Sequence, residues 1–158
     1  VGTLNRHSRC FGIDPLKTTG KRLRGQRVFC SNRGQRGGCG RTFCLVFAEV
    51  FPRHTFPASL LWPLWVGLLD GTSLQAAAES LRLPFALETV YHWRRKLRRQ
   101  VDRLRVLLCG LCPPAASAQA DPWLQTVEHL RQVFPRSGCP PAEFQLHFQQ
   151  PFVASLPG

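Results

Sequence analysis

The sequence predicts an α+β chain, mostly helical, with a small β-rich unit ahead of a set of helices. Three observations predict it. Glycine punctuates short apolar runs in the first third, apolar residues recur at helical spacing in the middle, and proline clusters near the end. The chain has 158 residues, enough for one or two small domains. Charge divides it into residues 1–56 with 11 basic and 2 acidic residues, 57–111 with 8 and 4, and 112–158 with 2 and 3. We take these as its three parts.

In the first part, LKTTGKRLRGQRVFC reads as a basic hairpin punctuated by Gly20 and Gly25, with Val28 and Phe29 as strand residues. RTFCLVFAEVF reads as another strand with a buried face. In the second part, FPASLLWPLWVGLLDG predicts a helix ending near Asp70-Gly71, with Pro63 tolerable only in its first turn. Thr72 or Ser73 caps LQAAAESL. After a stop at Pro84, ALETVYHWRRKLRRQVDRLRVLL reads as one long amphipathic helix. Val90, Leu97, Val101, Leu104 and Leu108 form its apolar seam, and arginines fill its outer side. That seam is read as internal core, with self-association through the long helix as the alternative. In the third part a Pro/Ala/Ser linker precedes two short helices, the first opened by Pro122.

The chain carries 21 Lys+Arg against 9 Asp+Glu, a formal +12. Arginine supplies most of this charge, and its planar fork suits phosphate, so a nucleic acid is the expected partner. The longest apolar run, residues 60–69, is too short to span a bilayer and contains Pro63. No membrane or small-molecule partner is expected.

The seven cysteines stand at 10, 30, 39, 44, 109, 112 and 139. With no export signal, metal ligands or buried thiols are expected rather than disulfides. Cys30 and Cys39 flank SNRGQRGG, where glycines permit the tight turn that a thiolate half-site needs, and zinc wants four such ligands. Cys109-Gly-Leu-Cys112 ends a helix, the wrong polarity for a redox pair, and is read as incidental thiols.

RVFCSNRGQRGGCGRTF resembles the second knuckle of the zinc ribbons at the N-termini of bacterial insertion-sequence transposases and related proteins. TSLQAAAESLRLPFALETVYHWRRKL is similar to the helix-turn-helix that follows in those proteins. The resemblance covers roughly residues 1–110. It implies Cys30 and Cys39 as zinc ligands. It also implies a first Cys-x-x-Cys just ahead of Val1, and the chain contains no methionine, so a fragment of a longer reading frame is expected. His7 and Cys10, as His-x-x-Cys, are the alternative second half-site within the chain. The resemblance further implies a recognition helix starting near Ala86 and set in the major groove of double-stranded DNA. Glu88, Thr89 and His92 are then placed to read base edges, and Arg94, Arg95, Arg98 and Arg99 to reach phosphates or guanines. Such a protein is expected in the cytoplasm, associated with the nucleoid.

Transposase chemistry needs a carboxylate triad holding two metal ions. Asp70, Asp102 and Asp121 sit at a helix end, in an arginine-rich helix and in a linker, so no catalytic residue is expected. The expectation is a transposase-type DNA-binding module without its own catalytic domain. The alternatives are a structural or protein-interaction module, or a fragment of an active transposase.

Overall fold

The computed structural model describes residues 3–14, 20–32, 37–52, 54, 56–83 and 85–154. The first residues of the expected hairpin, 16–19, the middle of the cysteine loop at 33–36 and the stop at Pro84 lie outside the described residues. The fold is α+β: a three-stranded antiparallel sheet, then six helices.

The sheet is formed by β1 (Thr3–Ile13), β2 (Lys21–Ser31) and β3 (Thr42–Val46), in that order. β1 and β2 pair along nearly their whole length, with irregularities between Arg6 and Ser8 and between Cys10 and Phe11. Gly25 is the one buried strand residue among those described, and a Cβ on it would stand 2.2 Å from the Leu45 carbonyl oxygen. Glycine there lets β3 close against β2. The buried face expected of the third strand is absent, since β3 is exposed at every residue. Apolar alternation licenses a half-buried strand only where a second layer exists, and no helix packs extensively on the sheet among the described residues.

The helices are α1 (Ala58–Leu69), α2 (Leu74–Ser80), α3 (Leu87–Arg98), α4 (Val101–Cys109), α5 (Pro122–Val133) and α6 (Pro140–Phe148). α1 ends at Asp70 with Gly71 at φ +85°, as the Asp-Gly pair predicts. The Gly71 and Thr72 amides donate to Leu68 and Gly67 carbonyls, satisfying two orphan acceptors. Pro63 lies inside α1 rather than in its first turn. It is exposed, as is Ser59 one turn earlier, whose carbonyl loses its helical partner to the proline ring. The Ser73 hydroxyl accepts from the Ala76 amide and caps α2.

The long helix is interrupted at residues 99–100, which separates α3 from α4. No proline or glycine causes the break. The Gln100 side chain is buried at the junction and accepts from Arg103. All five seam residues are buried on both sides of it.

The two C-terminal helices, expected as a tail, join the same core as α1 and α3. Phe152 stands at its centre. Its ring lies 5.7 Å from that of Trp65, 5.2 Å from Phe144, 6.0 Å from Phe51 and 6.4 Å from Trp123. Polar ties fix the chain around it. Arg103 donates to the Pro151 and Phe152 carbonyls at 2.8 and 2.7 Å. The Gln145 amide nitrogen donates to the Ala48 and Val50 carbonyls, and its oxygen accepts from the Phe152 amide.

Candidate nucleic-acid interface

α3 presents two sides. Val90, Trp93 and Leu97 are buried toward the core, so Trp93 is the aromatic that turns inward. Tyr91 is 49% exposed. Glu88, His92, Arg95 and Arg99 are exposed at four-, three- and four-residue steps, so they line one stripe of the helix surface. Thr89 is half-buried at its edge. Glu88 lies in the first turn, and Arg95, Lys96 and Arg98 in the last, which complements the helix dipole.

The structure separates the arginines into two sets. Arg94 and Arg98 turn toward the start of α5 and share Asp121, at 3.0 and 2.5 Å from its Oδ2. The other carboxylate oxygen of Asp121 accepts from the Trp123 amide and caps α5. Burial opposes ionisation of Asp121. Hydrogen bonds from Arg98, the Trp123 amide and Arg94 outweigh it and hold the carboxyl below its ordinary value. Arg94 and Arg98 are therefore tied to a carboxylate within the fold, although Arg98 stays half-exposed, while Arg95 and Arg99 are exposed and carry no ion pair among the described residues. Helical periodicity places all four on the basic side, and it carries no sign that a linker aspartate neutralises two of them.

α2 packs against α1 and α3. The connection to α3 spans six residues, 81–86, longer than the three or four of a tight helix-turn-helix. Arg82 at φ +47° ends α2, and the amides of Arg82 and Leu83 donate to the Glu79 and Ala78 carbonyls. This repeats the hydrogen-bond pattern at the end of α1, with arginine where α1 has glycine.

A strap, 49–57, joins sheet to helices. Arg22 pairs with Glu49 at 2.7 Å, and Arg24 donates to the His54 and Phe51 carbonyls. The His54 ring meets Trp93 edge-on at 4.5 Å, and Lys96 Nζ lies 3.2 Å from its Nε2. Burial, with the charges of Lys96, Arg24 and His92, pushes the His54 pKa down from 6.5 to about 4. His54 is thus neutral at pH 7 and accepts from Lys96.

The cysteines of the sheet fall into two pairs. At the knuckle, the Cys39 amide points at Cys30 Sγ, 3.3 Å away, and the Gly40 amide donates to the Cys30 carbonyl. Gly40 has φ +67°, and a Cβ on Gly38 would overlap the Ser31 carbonyl. The glycines thus allow the turn and aim an N–H at sulfur, as a thiolate half-site requires. Cys10 does not join this pair. Its Sγ lies 2.8 Å from Cys44 Sγ, and it stands opposite Gly25, five residues along β2 from Cys30. That is about 17 Å of strand, against zinc–sulfur bonds of about 2.3 Å. His7 occupies the bulge in β1, exposed beside Ser8. Contact with Cys10, with burial second, raises the Cys44 thiol pKa. Among the described residues no three His, Cys, Asp or Glu side chains are grouped for a metal. Cys30 and Cys39 fit half of a zinc site, and the described residues do not complete it.

Comparison with known proteins adds no relative. No family model, curated protein or solved structure matches the chain. No helix among the described residues is long and apolar enough to cross a membrane. Cys109 is the last residue of α4 and Cys112 lies in the turn that follows; His129 bonds the Cys112 carbonyl at 2.8 Å, and Cys139 lies at the start of α6.

Proposed function

We propose that this chain is a double-stranded DNA-binding module of transposase type, without its own catalytic domain, in which α3 enters the major groove. The observation that carries the reading is the exposed stripe Glu88, His92, Arg95 and Arg99 on a helix whose opposite side is buried in the core. A helix held on one side by packing and bearing arginines at successive turns on the other can offer them to base edges and phosphates. The formal +12 supports it. In this reading α2 and α3 form a helix-turn-helix with a lengthened turn, and the Cys30–Cys39 knuckle is one half of a zinc-ribbon site. Nucleoid association follows from the DNA reading.

The test is duplex binding measured by fluorescence anisotropy across a salt series. Affinity should fall steeply and linearly on a log–log plot as salt rises. A chain that fails to bind duplex at low salt would end this reading.

A further inference from the structure

We infer that the open face of the sheet binds single-stranded nucleic acid, stacking unpaired bases on Phe11, Phe43 and Phe47. This surface is separate from α3 and does not depend on how α3 is read.

The face follows from register. Phe43 and Leu45 alternate on one side of β3, and Phe47 continues that side, its amide bonded to the Arg24 carbonyl. Across β2, Phe43 shares its row with Val28 and Arg6, and Leu45 shares its row with Gln26 and Arg9. Phe11 lies two residues beyond Arg9 on the same side of β1. One face thus carries three phenyl rings and two arginines.

The rings are in water. Phe11 is 55% exposed, Phe43 45% and Phe47 43%. No two of them pair with each other or with another ring among the described residues. Arg6 and Arg9 are exposed and carry no ion pair among the described residues. An apolar face of this extent marks an interaction site.

Charge selects the occupant. Residues 3–48 hold ten basic residues and one acidic residue, Asp14. A polyanion is the complementary partner, and an apolar protein surface would leave the arginines without counter-charge. Phenyl rings cannot reach the base faces of an intact duplex, because those faces are covered by their neighbours. Unpaired bases offer both what the rings need and the phosphates that Arg6 and Arg9 need. Two strand spacings separate β1 from β3, about 10 Å, and four residues separate Phe43 from Phe47, about 13 Å. That platform suits about two or three bases.

The experiment uses the full chain and a labelled oligothymidine of about ten nucleotides, followed by anisotropy, beside Phe11→Ala, Phe43→Ala and Phe43→Tyr. Circular dichroism confirms that each variant keeps its helices and sheet. Each alanine variant should weaken binding about tenfold, and tyrosine should restore it. A 5-iodouracil oligonucleotide should cross-link on irradiation to the peptide containing Phe43. The Arg95→Gln/Arg99→Gln variant should bind oligothymidine as the parent chain does, so failure of the duplex reading and failure of this one are distinguishable. Oligothymidine affinity unmoved by the alanine variants would overturn the inference. So would affinity that responds only to Arg6→Gln and Arg9→Gln, since binding would then be to phosphates alone. Sedimentation showing a dimer that Phe43→Ala dissolves would also overturn it, assigning the face to a second copy of the chain.

Discussion

The sheet and the helices are built on opposite terms. Among the described residues the apolar core lies at or beyond Val50, while the strands bury only Gly25. The helices are held by interlocked aromatic rings around Phe152. The sheet is held by its backbone ladder and by polar ties to the strap, chiefly from Arg22 and Arg24. Apolar side chains freed from packing duty stay at the surface, where they are available to a ligand. The same phenyl group is therefore structural in one half of the molecule and accessible in the other.

Substitution at two phenylalanines tests this contrast at its widest. Phe152→Ala should cost about 3–5 kcal/mol in urea unfolding. Phe43→Ala should cost about 1 kcal/mol or less, because its ring already faces water. Equal losses would erase the distinction between the two regions.

The next effect lies where α3 meets α5. Asp121→Ala removes a helix cap and leaves the partly buried Arg94 and the exposed Arg98 without their carboxylate, which should cost about 1–2 kcal/mol. The Asp121 carboxyl sits below its ordinary value in the fold, so its contribution is present above the unfolded pKa of 3.8 and lost as pH falls through the folded one. The Asp121→Ala chain should lack that acid limb in a pH series of unfolding midpoints.

The strap has its own pH signature. The His54 pKa is depressed from 6.5 to about 4, so the folded state favours neutral imidazole. Its contribution is whole above pH 6.5 and declines as pH falls from 6.5 toward 4. His54→Gln should flatten the stability profile across that window, and an unchanged profile would remove His54 from the junction.

The smallest effect compares two helix ends with the same hydrogen bonds. Gly71 adopts φ +85° without strain, whereas Arg82 at φ +47° is held in a left-handed conformation that disfavours a side chain. Arg82→Gly should raise stability by about 0.5–1 kcal/mol, measured by thermal unfolding.

Local signals in the sequence read through to the structure wherever chemistry is local. Ser73 caps α2, Pro122 opens α5, Asp70-Gly71 ends α1, and the seam from Val90 to Leu108 is buried. What failed to show was long-range. Apolar alternation in β3 looks the same whether or not a layer covers it. Asp121 reads as a linker residue until α5 is packed beside α3. Nothing near Arg99-Gln100 announces a break, since neither proline nor glycine stands there. The Cys30–Cys39 turn was legible from its glycines, but the pairing of Cys10 with Cys44 depends on the order of three strands.

The DNA reading turns on which arginines of α3 meet the duplex: the exposed Arg95 and Arg99, or the pair that Asp121 holds. Duplex affinity across a salt series decides it, with the parent chain measured beside Arg95→Gln/Arg99→Gln. Weaker binding is expected, with a log–log salt slope shallower by about two, because each of the two arginines neutralises one phosphate. A slope and affinity equal to the parent chain's would refute this and move the duplex interface away from the stripe.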